Sequence, residues 1–222
     1  MPTAPPSLPP EAGPRPAGPG GAFRQVHLFD YPPAAWRMWL AIVAAGALSL
    51  AWAVAALAAQ PAADQRLALL GLASVALTAR FSLRIPRLDY TANASDLFIF
   101  MLLAAVGTPA AVLAMGIDGW IGTRRASPRL SSHISAPAVG MASMVLVGMA
   151  FNAMRAALGA AGLDEALAAA TALCAASLLV YTLPTVTMHC LRTLRTGERF
   201  APLTALASIG WAGALYLGSA LL

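Results

Sequence analysis

Lysine is absent from the chain, and all 14 of its basic side chains are arginine. Charged residues of either sign make up only 10% of 222 positions, against about 25% in a soluble domain. Cysteine occurs twice, at Cys174 and Cys190. Two thiols without a matching histidine cluster exclude a disulfide framework and a zinc site, and read as small packing residues. No nucleophile elbow, phosphate-binding glycine loop, zinc motif or pair of catalytic carboxylates is present. The sequence therefore offers neither an enzyme active site nor a cofactor or metal site.

What is abundant is apolar sequence, 59% of the chain. A single soluble core cannot bury that much, so the composition predicts a polytopic membrane protein with short connections. The net charge of +5 is not a nucleic-acid patch. The arginines fall in short clusters between apolar runs, the pattern that sets membrane topology. The arginine bias, with much alanine and glycine, suggests a GC-rich bacterial genome.

Residues 1–35 divide into a tail and a linker. The first 22 positions carry eight of the 17 prolines and few large apolar side chains, which predicts disorder. Phe23, Leu28, Phe29 and Tyr31, among Arg24, His27 and Asp30, fit either a headgroup-level segment or an irregular linker. The transmembrane domain is expected over 36–222. Its apolar runs cover about 36–59, 67–83, 95–122, 135–154, 165–189 and 202–222. Trp36 and Trp39 are expected at the interface, Gly46, Gly140 and Gly148 at close helix contacts, and Pro184 at a kink. Thr123 to His133 is expected to be a polar loop.

The run over 95–122 decides the topology. As one helix it would be about 42 Å long, too long for a hydrocarbon core of about 30 Å, with Gly107 and Pro109 at its middle. As two helices each is short. The arginines choose between the two: with one pass they divide evenly across the membrane. With two passes Arg66 and Arg155 stand on one side and the other twelve on the opposite side, including Arg124 and Arg125. Arginine excess marks the cytoplasmic side. The expected fold is thus an all-α polytopic bundle of about seven spans (six if 95–122 crosses once). Its N-terminus is cytoplasmic, and the Gly107-Thr108-Pro109 turn faces outward.

The stretch from Arg80 to Leu222 resembles the multi-pass N-terminal membrane region of bacterial signalling proteins whose outputs are diguanylate cyclase (GGDEF) or HD-type phosphodiesterase domains. The resemblance is carried by Arg84-Ile85-Pro86, by Ser95-Asp96-Leu97-Phe98-Ile99-Phe100 and by the glycine-proline turn. Ala110, Ala111, Asp118-Gly119, the arginine loop, Leu194-Arg195-Thr196-Gly197-Glu198 and Trp211 also fit. Thr108 separates a glycine and proline that usually adjoin, and Ser135-Ala136-Pro137 stands where a Phe-Asn pair is usual. A looser similarity links the loop-aspartate-helix-turn-helix order to the substrate-binding S-components of energy-coupling-factor vitamin transporters. The resemblance implies an inner-membrane sensor or anchor for a cytoplasmic cyclic-di-GMP domain, expected beyond Leu222. The similarity to S-components implies small-molecule uptake instead, and a structural membrane protein without ligand is the third reading.

Three residues are candidates for ligand binding. Asp118 is an acid within an apolar helix, where an ionisable group is a functional hypothesis by default; the alternative is an interfacial carboxylate paired with Arg124 or Arg125. Asp96 either lines a pocket or, with Ser95, caps a helix. Arg84 belongs to the loop before it. Asn152, Tyr181 and Thr185 are expected to hydrogen-bond between helices, and His133 and His189 to be structural. The expected partner is the lipid bilayer, with a second copy of the chain and a small-molecule ligand open beside it, and no nucleic acid.

Overall fold

A computed structural model gives the architecture. It describes residues 24, 27–84 and 91–197. The expected tail over 1–22, the Pro86–Tyr90 segment and the apolar run over 202–222 lie outside these residues. The described chain is an all-α bundle of six helices: α1 (Pro33–Ala58), α2 (Ala62–Thr78), α3 (Ser95–Ala105), α4 (Thr108–Ala126), α5 (Leu130–Ala160) and α6 (Glu165–Thr196). A short antiparallel ladder, β1 (Ser82–Arg84) with β2 (Thr91–Asn93), joins α2 to α3.

The helix ends follow from local chemistry. Pro33 opens α1 at a first-turn position, where its missing N–H costs nothing. Gln65 closes the α1–α2 turn by donating from its amide to the carbonyls of Ala58 and Gln60. Asp164 caps α6 by accepting from the Ala166 N–H at 3.0 Å. Gly197 ends α6 at φ 72°, a left-handed conformation that glycine adopts without a Cβ penalty.

The decisive break is at Gly107. Its φ is 107°, and its N–H closes α3 onto the Leu102 carbonyl at 2.9 Å. Thr108 and Pro109 then start α4, proline again in the first turn. The two helices run antiparallel, because Ser95 at the start of α3 contacts Asp118 far along α4. Residues 95–122 are therefore two helices. Their lengths, about 16 Å for α3 and 28 Å for α4, follow from 11 and 19 residues at 1.5 Å each.

Three helices, rather than the seven spans expected, are long and apolar enough to cross a membrane among the described residues: α1, α5 and α6. The shortfall has plain causes. α2 has 17 residues and α3 has 11, and α4 interrupts its apolar run with Asp118, Arg124 and Arg125. The polar loop expected over 123–133 is also shorter. α4 continues to Ala126 and α5 begins at Leu130, passing through Pro137. Arg124 and Arg125 thus occupy the last turn of α4, where cations offset the helix dipole. α6 is continuous through Pro184.

α5 is the centre of the bundle. Of its apolar window 61% is buried, against 22% for α1 and 28% for α6, and it packs on α1, α4 and α6. Gly46 of α1 lies directly against Ala138, so that an added Cβ would strike the Ala138 backbone. Ile99, Leu103, Val112, Met144, Val147, Phe151 and Val180 form the larger core. Leu48, Leu69, Leu70, Leu77 and Leu167 remain exposed, an apolar outer surface that suits lipid.

A smaller core gathers Leu28, Ala35, Trp39, Ile42, Val139 and Leu191. Neither sequence reading of the linker anticipates this. Leu28 is buried, the His27 carbonyl accepts from the Ser131 hydroxyl at 3.1 Å, and Asp30 meets Arg129 at 3.1 Å and Arg195 at 3.6 Å. Residues 27–31 are a strap across the ends of α5 and α6. Trp39 correspondingly faces the core rather than the interface, donating its indole N–H to the Ser131 carbonyl at 3.4 Å.

Alternating helix direction sorts the arginines. Arg24, Arg37, Arg80, Arg124, Arg125, Arg129, Arg192 and Arg195 stand at one end of the bundle, with β1 and its Arg84. Arg66 and Arg155 stand toward the other. The Gly107 turn belongs to that opposite end, tied to the α1–α2 turn by the Gln60 amide, which donates to the Val106 carbonyl at 3.3 Å.

Candidate functional site

The Asp118 side chain meets Ser95. The Ser95 hydroxyl, fully buried, donates to Asp118 Oδ1 at 2.5 Å. Both residues lie 11 or 12 positions from Gly107, so at 1.5 Å per residue the pair stands about 16 to 18 Å from the turn. That is roughly the half-depth of a hydrocarbon core of about 30 Å. The local sequence explains the geometry. Gly119, one residue on, faces the Pro137 backbone so closely that an added Cβ would stand 2.9 Å from Pro137 Cα. This close approach draws α4 onto α5 while Asp118 turns toward α3.

Among the described residues neither arginine expected as an alternative partner forms an ion pair with Asp118. Arg124 lies over the Trp120 ring at 4.7 Å from its centroid, and Arg125 is exposed. The capping role expected for Ser95 or Asp96 is also corrected. Ala94 holds the cap position and no side chain caps there. Ser95 is the first residue of α3, its hydroxyl committed to Asp118, while Asp96 is half-buried in the first turn. Arg84 pairs in register with Thr91, and Ser82 with Asn93. The Ser82 end of the ladder is thus the one beside Ser95. Of the three candidates, the fold brings Asp96 and Asp118 to neighbouring positions and places Arg84 at the far end of the ladder.

A second polar site lies at the opposite end, built on the turn itself. A cavity of about 530 Å³ is lined by Trp52, Gln60, Gly107, Thr108, Met149 and Asn152, among others. The Asn152 amide donates to the Thr108 hydroxyl at 3.3 Å, an interhelical bond of the kind expected for Asn152. Gly148 makes room for Thr108, whose side chain fills the space a Cβ would take. The lining is mostly apolar, with two amides and a hydroxyl among Trp52, Val106, Val145 and Met149 and no charged side chain, which suits a small uncharged molecule. Its volume falls within the range of about 300 to 1,000 Å³ usual for ligand sites. Sequence reading marks Gly107, Pro109 and Asn152 singly. The signal it misses is Gln60, which reads there only as the end of a span.

His133 donates from Nε2 to the Ser127 carbonyl at 2.7 Å and closes the α4–α5 turn. Cys174 and Cys190 are unpaired by disulfide and half-buried in α6. Among the described residues no three histidine, cysteine or acidic side chains converge as a metal site would require. Compared with protein-family models, with curated proteins and with solved structures, the chain matches none.

Proposed function

We propose that the chain is the membrane-embedded sensory and anchoring bundle of a bacterial signalling protein, with a cyclic-di-GMP enzyme domain as its output. All six described helices enter the bilayer, α3 reaching only part way. The arginine end lies in the cytoplasm and the Gly107 turn faces outward, as positive-inside sorting requires.

The observation that carries the sensory reading is the uncharged cavity at the turn, between Trp52, Gln60, Thr108 and Asn152. It is placed to sample small molecules outside the cell. α4 and α5 run from it to the arginine end, so an occupant that spreads Thr108 from Asn152 acts on helices that reach the cytoplasmic side. The signalling assignment draws on the motifs from Arg84 to Trp211. Cellular cyclic-di-GMP, measured in the native bacterium, tests both parts. Deleting the gene should change the level, and Asn152→Leu, which fills the cavity, should change it in a fixed direction whatever the growth medium. A level untouched by deletion would refute the signalling role.

A further inference from the structure

We propose that a second cavity, at the arginine end between α5 and α6, binds the phosphate group of an anionic phospholipid headgroup. The inference rests on the reading that the bundle spans a membrane. The cavity measures about 430 Å³, and its walls include Tyr31, Ser132, Ser135, His189, Arg192 and Arg195. Spacing explains how these side chains converge. His189, Arg192 and Arg195 stand three residues apart and form one ridge on α6, and Ser132 and Ser135 form a matching pair on α5. Tyr31 arrives from the strap, its ring 6.0 Å from the Arg195 guanidinium.

The chemistry of this lining is that of an anion site. Arginine is a pure donor with a fork that matches phosphate oxygens, and the serine hydroxyls can donate as well. Ser132 lies in the first turn of α5, where the helix dipole favours negative charge. Asp30 is the carboxylate that Arg129 and Arg195 share at this end.

The level of the cavity selects the source of the phosphate. It straddles the place where the apolar run of α6 gives way to arginine, with Met188 on the same wall. An inorganic phosphate would occupy only a small part of the volume, whereas a phospholipid headgroup takes up more of it and can lead its acyl chains toward Met188. Basic pockets between membrane helices on the cytoplasmic side hold lipid headgroups in this way.

The test uses the full chain purified in a neutral detergent, with lipid binding followed by native mass spectrometry and by the thermal midpoint. Phosphatidylglycerol should bind and raise the midpoint, while phosphatidylcholine of the same acyl chains should do neither. Arg192→Gln should weaken phosphatidylglycerol binding about tenfold, added salt should weaken it further, and Arg66→Gln at the opposite end should leave it unchanged. Ser132→Asp places a carboxylate in the cavity and should abolish the preference, which keeps the test decisive if Arg192→Gln does not fold. Equal binding of the two lipids, or equal losses in Arg192→Gln and Arg66→Gln, would overturn the proposal. Inorganic phosphate that saturates the cavity and displaces phosphatidylglycerol at millimolar concentration would overturn the lipid source. A chain recovered in the membrane fraction that ignores phosphatidylglycerol refutes only this inference. A chain recovered in the soluble fraction refutes the reading beneath it.

Discussion

Alanine at Gly46 and alanine at Gly122 should move stability in opposite directions. Both glycines sit inside helices, α1 and α4. Helix propensity alone favours alanine at each by about 1 kcal/mol. Their surroundings differ. A Cβ at Gly122 meets nothing within 4 Å, whereas a Cβ at Gly46 runs into the Cα, Cβ and carbonyl oxygen of Ala138. Those atoms belong to α5, the most buried helix, and no side-chain rotation moves a Cα. α1 must therefore lift from α5. Overpacking of this kind costs about 1 to 3 kcal/mol, and the upper part of that range applies where backbone meets backbone.

Subtracting the propensity gain leaves Gly46→Ala less stable than the parent by about 1 to 2 kcal/mol, and Gly122→Ala more stable by up to about 1 kcal/mol. The lift also disturbs the smaller core, since Trp39 and Ile42 lie on the same helix as Gly46. Unfolding of the purified chain in mixed micelles, titrated with a denaturing detergent, measures both differences. Ala138→Gly should recover part of the loss in Gly46→Ala, because it removes one of the three colliding atoms. If Gly46→Ala and Gly122→Ala shift the midpoint together, or Gly46→Ala stabilises, the α1–α5 contact described above is wrong.

Other perturbations follow from the polar contacts and the topology. Asp118→Leu leaves the buried Ser95 hydroxyl without an acceptor and should cost about 1 to 3 kcal/mol. Asp118→Asn keeps an acceptor and should cost under about 1 kcal/mol, and Ser95→Ala combined with Asp118→Leu should lie closer to the parent than Asp118→Leu alone, all read by thermal midpoint. Asp30→Ala, which removes a half-exposed pair of contacts, should cost no more than about 1 kcal/mol yet speed tryptic cleavage after Arg24, while equal cleavage rates would contradict the strap. Single cysteines at Ala161 and Ala126, in a background lacking Cys174 and Cys190, should react oppositely with an impermeant maleimide on whole cells: Ala161→Cys labelled, Ala126→Cys protected. Both positions are exposed, whereas Thr108 is buried and a cysteine there would be silent in either orientation.

The parts of the fold legible in the sequence are those set by the backbone. Gly107 needs a positive φ, and Pro109 suits only a first turn, so the break in 95–122 can be read directly. Asp164 opens α6 as an acid at a helix start suggests, but the apolar run that stops near 189 misplaces the other end, since α6 continues through Arg192 and Arg195 to Gly197. The small residues Gly46 and Gly148 are legible too, since close approach is what an absent side chain permits. What could not be read is which face of each helix turns inward. In water an apolar stripe identifies that face, but a helix in lipid is apolar on every side. Trp39 shows the consequence. By composition it belongs at the interface, and only the neighbouring Leu28 and Ser131, 11 positions before and 92 after it, turn it into a core residue.

The Ser95–Asp118 pair was half legible for a related reason. The acid stands out in its apolar surroundings, but its partner is a serine, which the sequence offers in many places. Their depth gives the contact its meaning. α3 has only 11 residues, and the β1–β2 ladder brings non-helical backbone up to its first turn. Such backbone persists at membrane depth only where it is buried in protein or lines a polar cavity. The β1–β2 ladder satisfies part of that requirement by pairing Ser82 with Asn93 and Arg84 with Thr91. Ser95 and Asp118 sit where the ladder gives way to helix. The acid then has a structural reason to be there, since it receives the buried hydroxyl of the residue that opens α3.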